Sequence, residues 1–228
     1  MKNTLAATLL LAATATTATA QTDYEYRMEI GAGIGMMAYE GDFNGSILSG
    51  MHPMASAVLR RIVNPYMALK LSAAYGKIKG SSKDVKTYLP DYVGAPYEFS
   101  NSLADLSLTY EYNFWPYGTG RDYRGARRLT PFVFAGLGAT YASGSGNNVF
   151  TANLPLGLGV KYKVASRLNL GIEWAAHFSL SDKLDGVADP YGIKSTGLFK
   201  NTDCYSTLQL TLTYSFMPKC RTCHNDDE

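Results

Sequence analysis

Three side chains late in the chain have the types that hydrolytic enzymes use. Glu173, His177 and Ser179 lie on one short stretch. An imidazole beside a carboxylate can activate a serine hydroxyl as a nucleophile, provided that the three groups converge and reach a substrate. All three occupy odd positions of an alternating segment, so they project to the same face of a strand. No donor for an oxyanion can be named, so we predict no catalytic residues and no enzymatic activity.

The segment Cys220-Arg221-Thr222-Cys223-His224 has the spacing of a c-type haem attachment motif. Only four residues follow it, and no second axial ligand is in view. A local disulfide or a pair of thiols is the favoured interpretation for an exported protein. We therefore predict no cofactor.

Four aspartates near the ends of segments that we expect to be neighbours could supply oxygen ligands to Ca²⁺. They are Asp42, Asp182, Asp185 and Asp203. Acidic side chains in loops are more often hydrated, so we predict no metal site, and this set remains a weak candidate.

A connection in the middle of the chain carries four arginines. They are Arg121, Arg124, Arg127 and Arg128. Arginine is favoured at protein interfaces and pairs with carboxylates through two parallel hydrogen bonds, so the set could contact a periplasmic partner. The alternative is a hydrated turn that touches anionic headgroups.

The elements that carry these side chains are eight segments of alternating polarity. In the last one, Leu208, Leu210 and Leu212 alternate with Gln209 and threonines, which is typical of a strand with one apolar face. The segments are approximately 26–39, 54–62, 66–78, 99–115, 130–142, 149–164, 167–180 and 207–216. No segment shows a helical period.

Segment length and composition decide which face points outward. Most segments have ten or more residues, whereas strands of soluble sheets average about five or six residues and membrane-spanning strands need about nine to eleven. The polar faces hold mainly Gly, Ala, Ser and Thr, which suit the narrow interior of an eight-stranded barrel. We predict an all-β, eight-stranded antiparallel transmembrane barrel with both termini periplasmic. A soluble, lipocalin-like barrel would have the faces reversed.

The first residues indicate export. Lys2, an apolar run and the small residues before Gln21 are typical of a cleaved signal peptide. We therefore expect a signal peptide at 1–20, a barrel at 21–216 and a short periplasmic tail at 217–228, with the barrel in the outer membrane. A formal net charge of +2 with 18% charged residues gives no indication of nucleic-acid binding, and no small-molecule substrate is indicated.

Charged side chains on the polar faces would share one narrow lumen. They are Glu29, Lys70, Asp105, Glu111, Lys161, Glu173 and His177. Such residues could line a proton path or a pore. Because eight strands leave no aqueous channel, we favour a paired network that fills the interior.

Five motifs follow one order along nearly the whole chain after residue 20. They are EIGAGIGMMAYEGDFN, RRIVNPYMALKLSAAYGKIKG, LTYEYNFWPY, TPFVFAGLGATY and HFSLSDKLDGV. In this order they resemble the PorG-like outer-membrane β-barrels that are associated with the type IX secretion system. The resemblance implies a barrel that anchors or assembles periplasmic secretion proteins, and it implies no catalysis. His177 stands where the resemblance leads us to expect an arginine.

The predicted function is a non-catalytic anchor or assembly factor for a periplasmic, type IX secretion complex, with outer-membrane lipid and secretion-complex proteins as partners. One alternative is a surface barrel for adhesion or defence that acts through its outer loops. A less favoured alternative is an enzyme that modifies lipid A.

Overall fold

The protein is a closed antiparallel β-barrel of eight strands. The computed structural model describes residues 26–40, 50–81, 98–118, 126–144, 148–180 and 204–218. The strands are β1 (Tyr26–Glu40), β2 (His52–Asn64), β3 (Met67–Ser81), β4 (Glu98–Asn113), β5 (Leu129–Ser143), β6 (Val149–Lys163), β7 (Leu168–Ser179) and β8 (Cys204–Pro218). The predicted all-β class, antiparallel pairing and strand number are confirmed, and the periplasmic location of the termini stays a prediction.

Each strand pairs with its neighbour in the sequence, and β1 closes the barrel against β8. At the closure, Ile30 lies opposite Tyr214 and Ile34 lies opposite Leu210. Closure gives every strand a hydrogen-bonded partner on both sides, which is the condition for a sheet to exist in hydrocarbon. Among the described residues, no helical segment has the length and apolarity that a membrane crossing requires.

The outward face is apolar and the inward face is polar, as predicted. Leu208, Leu210 and Leu212 are exposed on the outside, whereas Thr211 and Thr213 are buried inside. A soluble barrel would bury the leucines and expose the threonines. The arrangement therefore suits an apolar solvent around the barrel.

Two aromatic residues near strand ends lie inside the barrel. Aromatic residues near the strand ends of membrane barrels commonly form belts at the two lipid boundaries, but the side chains of Tyr39 and Tyr205 are fully buried in the lumen. The reason is their parity, because Tyr39 shares the inward positions of Glu29, and Tyr205 shares those of Thr207.

The barrel has two distinct ends. One end, the turn end, carries the connections 65–66, 114–128 and 164–167 together with the start of β1 and the end of β8. The other end, the loop end, carries the connections 41–51, 82–97, 144–148 and 180–203. The turn end is the one that the sequence predicts to be periplasmic.

Inward glycines on β6 make room for two rings of β5. A Cβ atom at Gly157 would lie 2.3 Å from Phe134 Cζ, and one at Gly159 would lie 2.7 Å from Phe132 Cζ. Both positions also face backbone oxygens of β7 at 2.4 and 2.5 Å. A side chain at either position would displace a ring or separate two strands, so glycine is required for this packing.

Candidate functional site

The turn-end half of the lumen is filled by three cations and three carboxylates. We call this set the ionic layer: Glu29, Arg60, Lys70, Glu111, Lys161 and Glu173. Every member has a side chain that is at most 4% exposed. They come from six strands, so the layer crosses the whole barrel.

Arg60 is the centre of the ionic layer. Its Nη1 donates to Glu29 Oε2 at 2.5 Å, and its Nη2 donates to Glu111 Oε1 at 3.2 Å and to Glu173 Oε1 at 3.4 Å. Its Nε lies 2.8 Å from Glu111 Oε2 as a charge contact but does not have the angle of a hydrogen bond. One guanidinium thus contacts all three glutamates, which its planar fork of five N–H donors permits.

The two lysines complete the charge compensation. Lys70 Nζ lies 2.7 Å from Glu173 Oε2 and 3.2 Å from Glu111 Oε1. Lys161 Nζ lies 2.5 Å from Glu111 Oε2 and donates to Asn113 Oδ1 at 3.1 Å. Glu111 therefore contacts all three cations of the layer, as Arg60 contacts all three carboxylates.

Two phenyl rings support the lysines. Lys70 Nζ lies 4.1 Å from the centre of the Phe134 ring, and Lys161 Nζ lies 4.2 Å from that of Phe132. Ring faces attract cations within about 6 Å, and more strongly where water is excluded. The glycines of β6 leave space for these two rings and thereby support the two lysines of the ionic layer.

Arg60 is the one member of the ionic layer that does not belong to the seven side chains predicted to lie in the lumen. The signal was present. Leu59 has the polarity of a lipid-facing residue, and strict alternation then places Arg60 inside and Arg61 outside. Arg60 is 3% exposed, and Arg61 is exposed.

A second polar group lies towards the loop end, around Asp105. The Tyr205 hydroxyl donates to Asp105 Oδ2 at 2.8 Å, and Thr140 Oγ1 does so at 3.2 Å. Asn153 Nδ2 donates to the same oxygen at 2.5 Å, and Ser107 Oγ donates to Oδ1. This Asp105 cluster stabilises a buried carboxylate with neutral donors in place of a cation.

His177 lies beside the Asp105 cluster. Its ring stacks on the Tyr205 ring with centres 4.4 Å apart and planes 10° apart. Its Nε2 lies 3.4 Å from Thr207 Oγ1, and its Nδ1 has no hydrogen-bond partner within the described part of the chain. Stacking, more than hydrogen bonding, holds this imidazole.

The residues considered for hydrolytic chemistry all point into the lumen. Glu173 is held by Lys70 and by Gln209, whose Nε2 donates to Glu173 Oε2 at 2.9 Å. Ser179 is fully buried, and His177 is 7% exposed. An acyl chain of the surrounding lipid has no access to any of them.

The loop end of the lumen is closed by apolar side chains. We call this cluster the apolar plug: Met37, Tyr39, Met54, Ile78, Leu103, Ala142 and Tyr205. Tyr205 belongs to the plug through its ring and to the Asp105 cluster through its hydroxyl, so it joins the two. These side chains cover the polar groups on the side of the loop end.

Two cavities in the described part of the lumen are small. One cavity of about 20 Å³ lies beside Arg60 and Tyr117, and another of about 20 Å³ lies beside Asp105 and His177. A volume of about 10–15 Å³ is the minimum for one water molecule. Each of these two cavities thus has room for an isolated water and not for a hydrated ion.

The buried charges balance across the described residues. They are Glu29, Arg60, Lys70, Asp105, Glu111, Lys161, Lys163 and Glu173, four positive and four negative. A low-dielectric interior tolerates charge only when the charge is paired or accepts or donates several hydrogen bonds. The equal numbers of buried positive and negative side chains therefore agree with a lumen that is filled by side chains.

The rim of the turn end is cationic. Among the described residues there, the exposed formal charges are Arg27, Arg61, Arg127, Arg128 and Arg167, and no exposed carboxylate accompanies them. Arg127 packs over the Trp115 ring at 4.9 Å, and its backbone N–H donates to the Pro116 carbonyl at 2.7 Å. These contacts join the described residues that follow β4 to those that precede β5.

Tyrosines accompany the arginines at this rim. The guanidinium of Arg167 donates to the hydroxyls of Tyr214 and Tyr26, contacts that raise its pKa above the ordinary arginine value. Burial raises the pKa of the Tyr117 hydroxyl, which donates to Asn169 Oδ1 at 3.1 Å. The rim therefore combines fixed positive charge with neutral hydroxyl groups.

Several predicted sites lie outside the described residues. They are Arg121, Arg124, the four aspartates Asp42, Asp182, Asp185 and Asp203, and the pair Cys220 and Cys223. Within the described ranges, no group of three or more His, Cys, Asp and Glu side chains is arranged to hold a metal ion.

The closed antiparallel barrel, its apolar exterior and its filled lumen define the class of small outer-membrane-type β-barrels. The crystal structure of Neisserial surface protein A is similar to this chain with a TM-score of 0.51 and 13% identity, over 83% of this chain and 97% of that chain. At that identity the similarity shows the fold alone.

Two other barrels are more distant. OprG from Pseudomonas aeruginosa has a TM-score of 0.45 and 10% identity, over 87% of this chain and 100% of that chain. Ail from Yersinia pestis has a TM-score of 0.43 and 13% identity, over 86% of this chain and 100% of that chain. No curated protein sequence matches this chain.

The chain belongs to the family described as Domain of unknown function (DUF6089), whose model matches residues 3–225. This family description assigns no activity.

Proposed function

We propose that this protein is a sealed, non-catalytic barrel of the outer membrane that anchors a periplasmic protein assembly. The observation that carries the proposal is that the described lumen is filled. The ionic layer occupies the turn-end half, and the apolar plug occupies the loop-end half. A barrel without an aqueous path acts through its ends and its outer face.

The outer membrane is proposed as the location because the exposed residues at mid-barrel are apolar. Leu106, Leu108 and Leu137 are each more than half exposed on the outer face. Water would penalise each of these side chains, whereas hydrocarbon accommodates them.

Conductance in planar lipid bilayers tests the sealed lumen. The purified barrel is expected to show no conductance above that of the empty bilayer, while a porin inserted under the same conditions provides the positive control. Discrete openings from the folded barrel that disappear on heat denaturation would overturn this part of the proposal.

The anchor role is proposed for the turn end. Arg127 and Arg128 are exposed there, and Arg127 contacts the Trp115 ring and the Pro116 carbonyl. Exposed guanidinium groups suit acidic side chains of a partner protein. The motif order that resembles PorG-like barrels supports a type IX secretion complex as that partner.

Site-specific photo-crosslinking in intact envelopes tests the anchor role. A photoreactive residue at Arg128 is expected to yield adducts with periplasmic proteins, and one at the exposed Asn148 of the loop end is expected to yield none. Adducts with type IX components would identify the assembly. Adducts from Asn148 alone, with extracellular or host proteins, would replace the anchor role by adhesion.

Charge reversal provides a second test with a matched control. Arg127→Glu with Arg128→Glu is expected to reduce co-purification of the periplasmic partner. Lys77→Glu with Lys79→Glu changes the charge equally at exposed positions of the opposite end and is expected to have no effect. Equal loss from both pairs would show that net charge, and not the turn-end surface, is responsible.

Adhesion or defence through outer loops is the second candidate. The specific observation that favours it is the length of the loop-end connections 82–97 and 180–203, whereas two of the three turn-end connections, 65–66 and 164–167, are short and only 114–128 is long. Long connections at one end are typical of small barrels whose outer loops carry function.

The lipid A-modifying alternative is the least supported. Such an enzyme must present its nucleophile to the lipid, whereas Ser179 and His177 face the lumen. Unchanged lipid A mass after overexpression is the expected result. A shifted mass that depends on Ser179 would restore the enzymatic alternative.

A further inference from the structure

One arginine at the turn end is held in an unusual way. Arg167, in the connection between β6 and β7, donates from Nη1 to the Tyr214 hydroxyl at 3.0 Å and from Nε to the Tyr26 hydroxyl at 3.3 Å. Its guanidinium carbon also lies 5.5 Å from the centre of the Tyr26 ring. Three strands, β7, β8 and β1, meet at this point, so the group is fixed to the barrel wall.

The guanidinium and the two hydroxyls of this cluster have further hydrogen bonds to donate. A tyrosine hydroxyl that accepts a hydrogen bond from a guanidinium retains its own O–H hydrogen for donation. Arg167 Nη2 adds two N–H donors to those that bond the tyrosines. A cationic group with several directed donors suits the oxygens of an anion.

The position of the cluster narrows the class of anion. Arg167 is exposed at the rim, and Tyr214 is 45% exposed on the outer face of β8. From Tyr214 towards the middle of the barrel, the outer face of β8 continues with Leu212 and Leu210, which suit acyl chains. A ligand that contacts both regions has a negative headgroup and an apolar tail.

We propose that Arg167, Tyr26 and Tyr214 form a binding site for the phosphodiester of an anionic phospholipid. The guanidinium and the two hydroxyls hold the phosphate oxygens, and the tails lie along the leucines of β8. The surrounding arginine rim attracts the anionic headgroup, while the directed donors select this position. The inference rests on the proposed membrane location and is independent of the anchor role.

Native mass spectrometry of the folded barrel tests the site. The barrel in detergent is titrated with phosphatidylglycerol or with phosphatidylcholine, and bound lipids are counted per barrel. Wild type is expected to retain phosphatidylglycerol in preference to phosphatidylcholine. Arg167→Gln is expected to weaken phosphatidylglycerol binding by about tenfold, through loss of charge-assisted hydrogen bonds.

Two further variants separate the directed site from general attraction. Arg61→Gln removes the same charge from an exposed rim position on β2, and we expect less than about a twofold change. The double variant Tyr26→Phe with Tyr214→Phe keeps the charge and removes both hydroxyls, and we expect about three- to tenfold weaker binding. Its folding is checked by heat-modifiable gel migration.

The results that would overturn the inference are specific. Equal weakening of phosphatidylglycerol binding in Arg61→Gln and Arg167→Gln would show that net charge, and not a directed site, binds the lipid. Unchanged binding in the folded double phenylalanine variant would remove the hydroxyls from the site. Displacement of the lipid by millimolar glycerol phosphate would assign the site to a free phosphate. A barrel that fails to enter vesicles would instead contradict the membrane location itself.

Discussion

The two halves of the lumen are filled by different physical means. In the turn-end half, six ionised side chains compensate one another around Arg60. In the loop-end half, seven mostly apolar side chains pack together, and the carboxylate of Asp105 is stabilised by neutral donors. The same strands line both halves, so the difference lies in the side chains alone.

A narrow barrel can thus be filled by apolar packing in one half and by paired charges in the other. Apolar packing gains free energy from burial itself. Ion pairs offset a large desolvation cost only while every partner is present, so their removal one at a time is costly. The charged half should therefore respond most to single substitutions, and the apolar half should respond according to the volume removed.

The largest effect is expected at Arg60. Arg60→Met leaves Glu29, Glu111 and Glu173 with two lysines, and loss of one partner from a buried ion pair costs about 3–5 kcal/mol. The free energy of unfolding is measured by urea titration in lipid vesicles. Arg61→Met, at the adjacent outward position, is the control, and we expect a change within about 0.5 kcal/mol. Similar losses in both variants would contradict the central role of Arg60.

The apolar plug is tested by removal of side-chain volume. Leu103→Ala is expected to cost about 3 kcal/mol, because the fully buried side chain leaves a cavity in a packed cluster. Leu106→Ala removes the same atoms from the same strand on the lipid-facing side, where lipid tails adjust to the loss. Equal urea midpoint shifts for the two variants would indicate that the plug is not closely packed.

The Asp105 cluster is tested by an isosteric change. Asp105→Asn replaces one acceptor oxygen by a donor that faces Tyr205, Thr140 and Asn153, and loss of hydrogen bonds to a charged group costs about 1.5–3 kcal/mol. A double-mutant cycle with Tyr205→Phe measures the coupling. Strict additivity of the two variants would contradict the contact between the hydroxyl and the carboxylate.

Substitution of a glycine that supports the ionic layer is expected to change the free energy of unfolding by a smaller amount. Gly157→Ala places a methyl group against the Phe134 ring and the Trp174 carbonyl, and such overpacking costs about 1–3 kcal/mol. Phe134→Leu in the same background provides space, so we expect it to recover part of the loss. Added destabilisation in the double variant would show that the backbone contact, and not the ring, is limiting.

The smallest effect on stability is expected from a change in salt concentration. Exposed ion pairs weaken when ionic strength rises, because the screening length falls from about 10 Å at 0.1 M to about 3 Å at 1 M. Buried pairs are screened much less, so the urea midpoint of the wild type should hardly change between these concentrations. A large decrease would indicate that water and ions reach the ionic layer.

Much of the fold could be predicted from the sequence because strand alternation is local. Leu208, Leu210 and Leu212 alternate with polar neighbours, and the segment length excludes an ordinary soluble strand. The same alternation identifies Glu111 and Lys161 as inward residues. It also identifies Arg60, Tyr39 and Tyr205 as inward when it is applied strictly to every strand.

The tertiary structure alone decided which inward charges meet. Lys70 contacts Glu173 across a separation of 103 residues in the sequence, and Arg60 contacts Glu111 across 51. Alternation assigns a residue to a face but carries no information about its height in the barrel relative to distant strands, because that height depends on strand register and closure. The sequence by itself determined an eight-stranded barrel with a polar interior, and the closed sheet decided that this interior is a compensated ionic layer below an apolar plug.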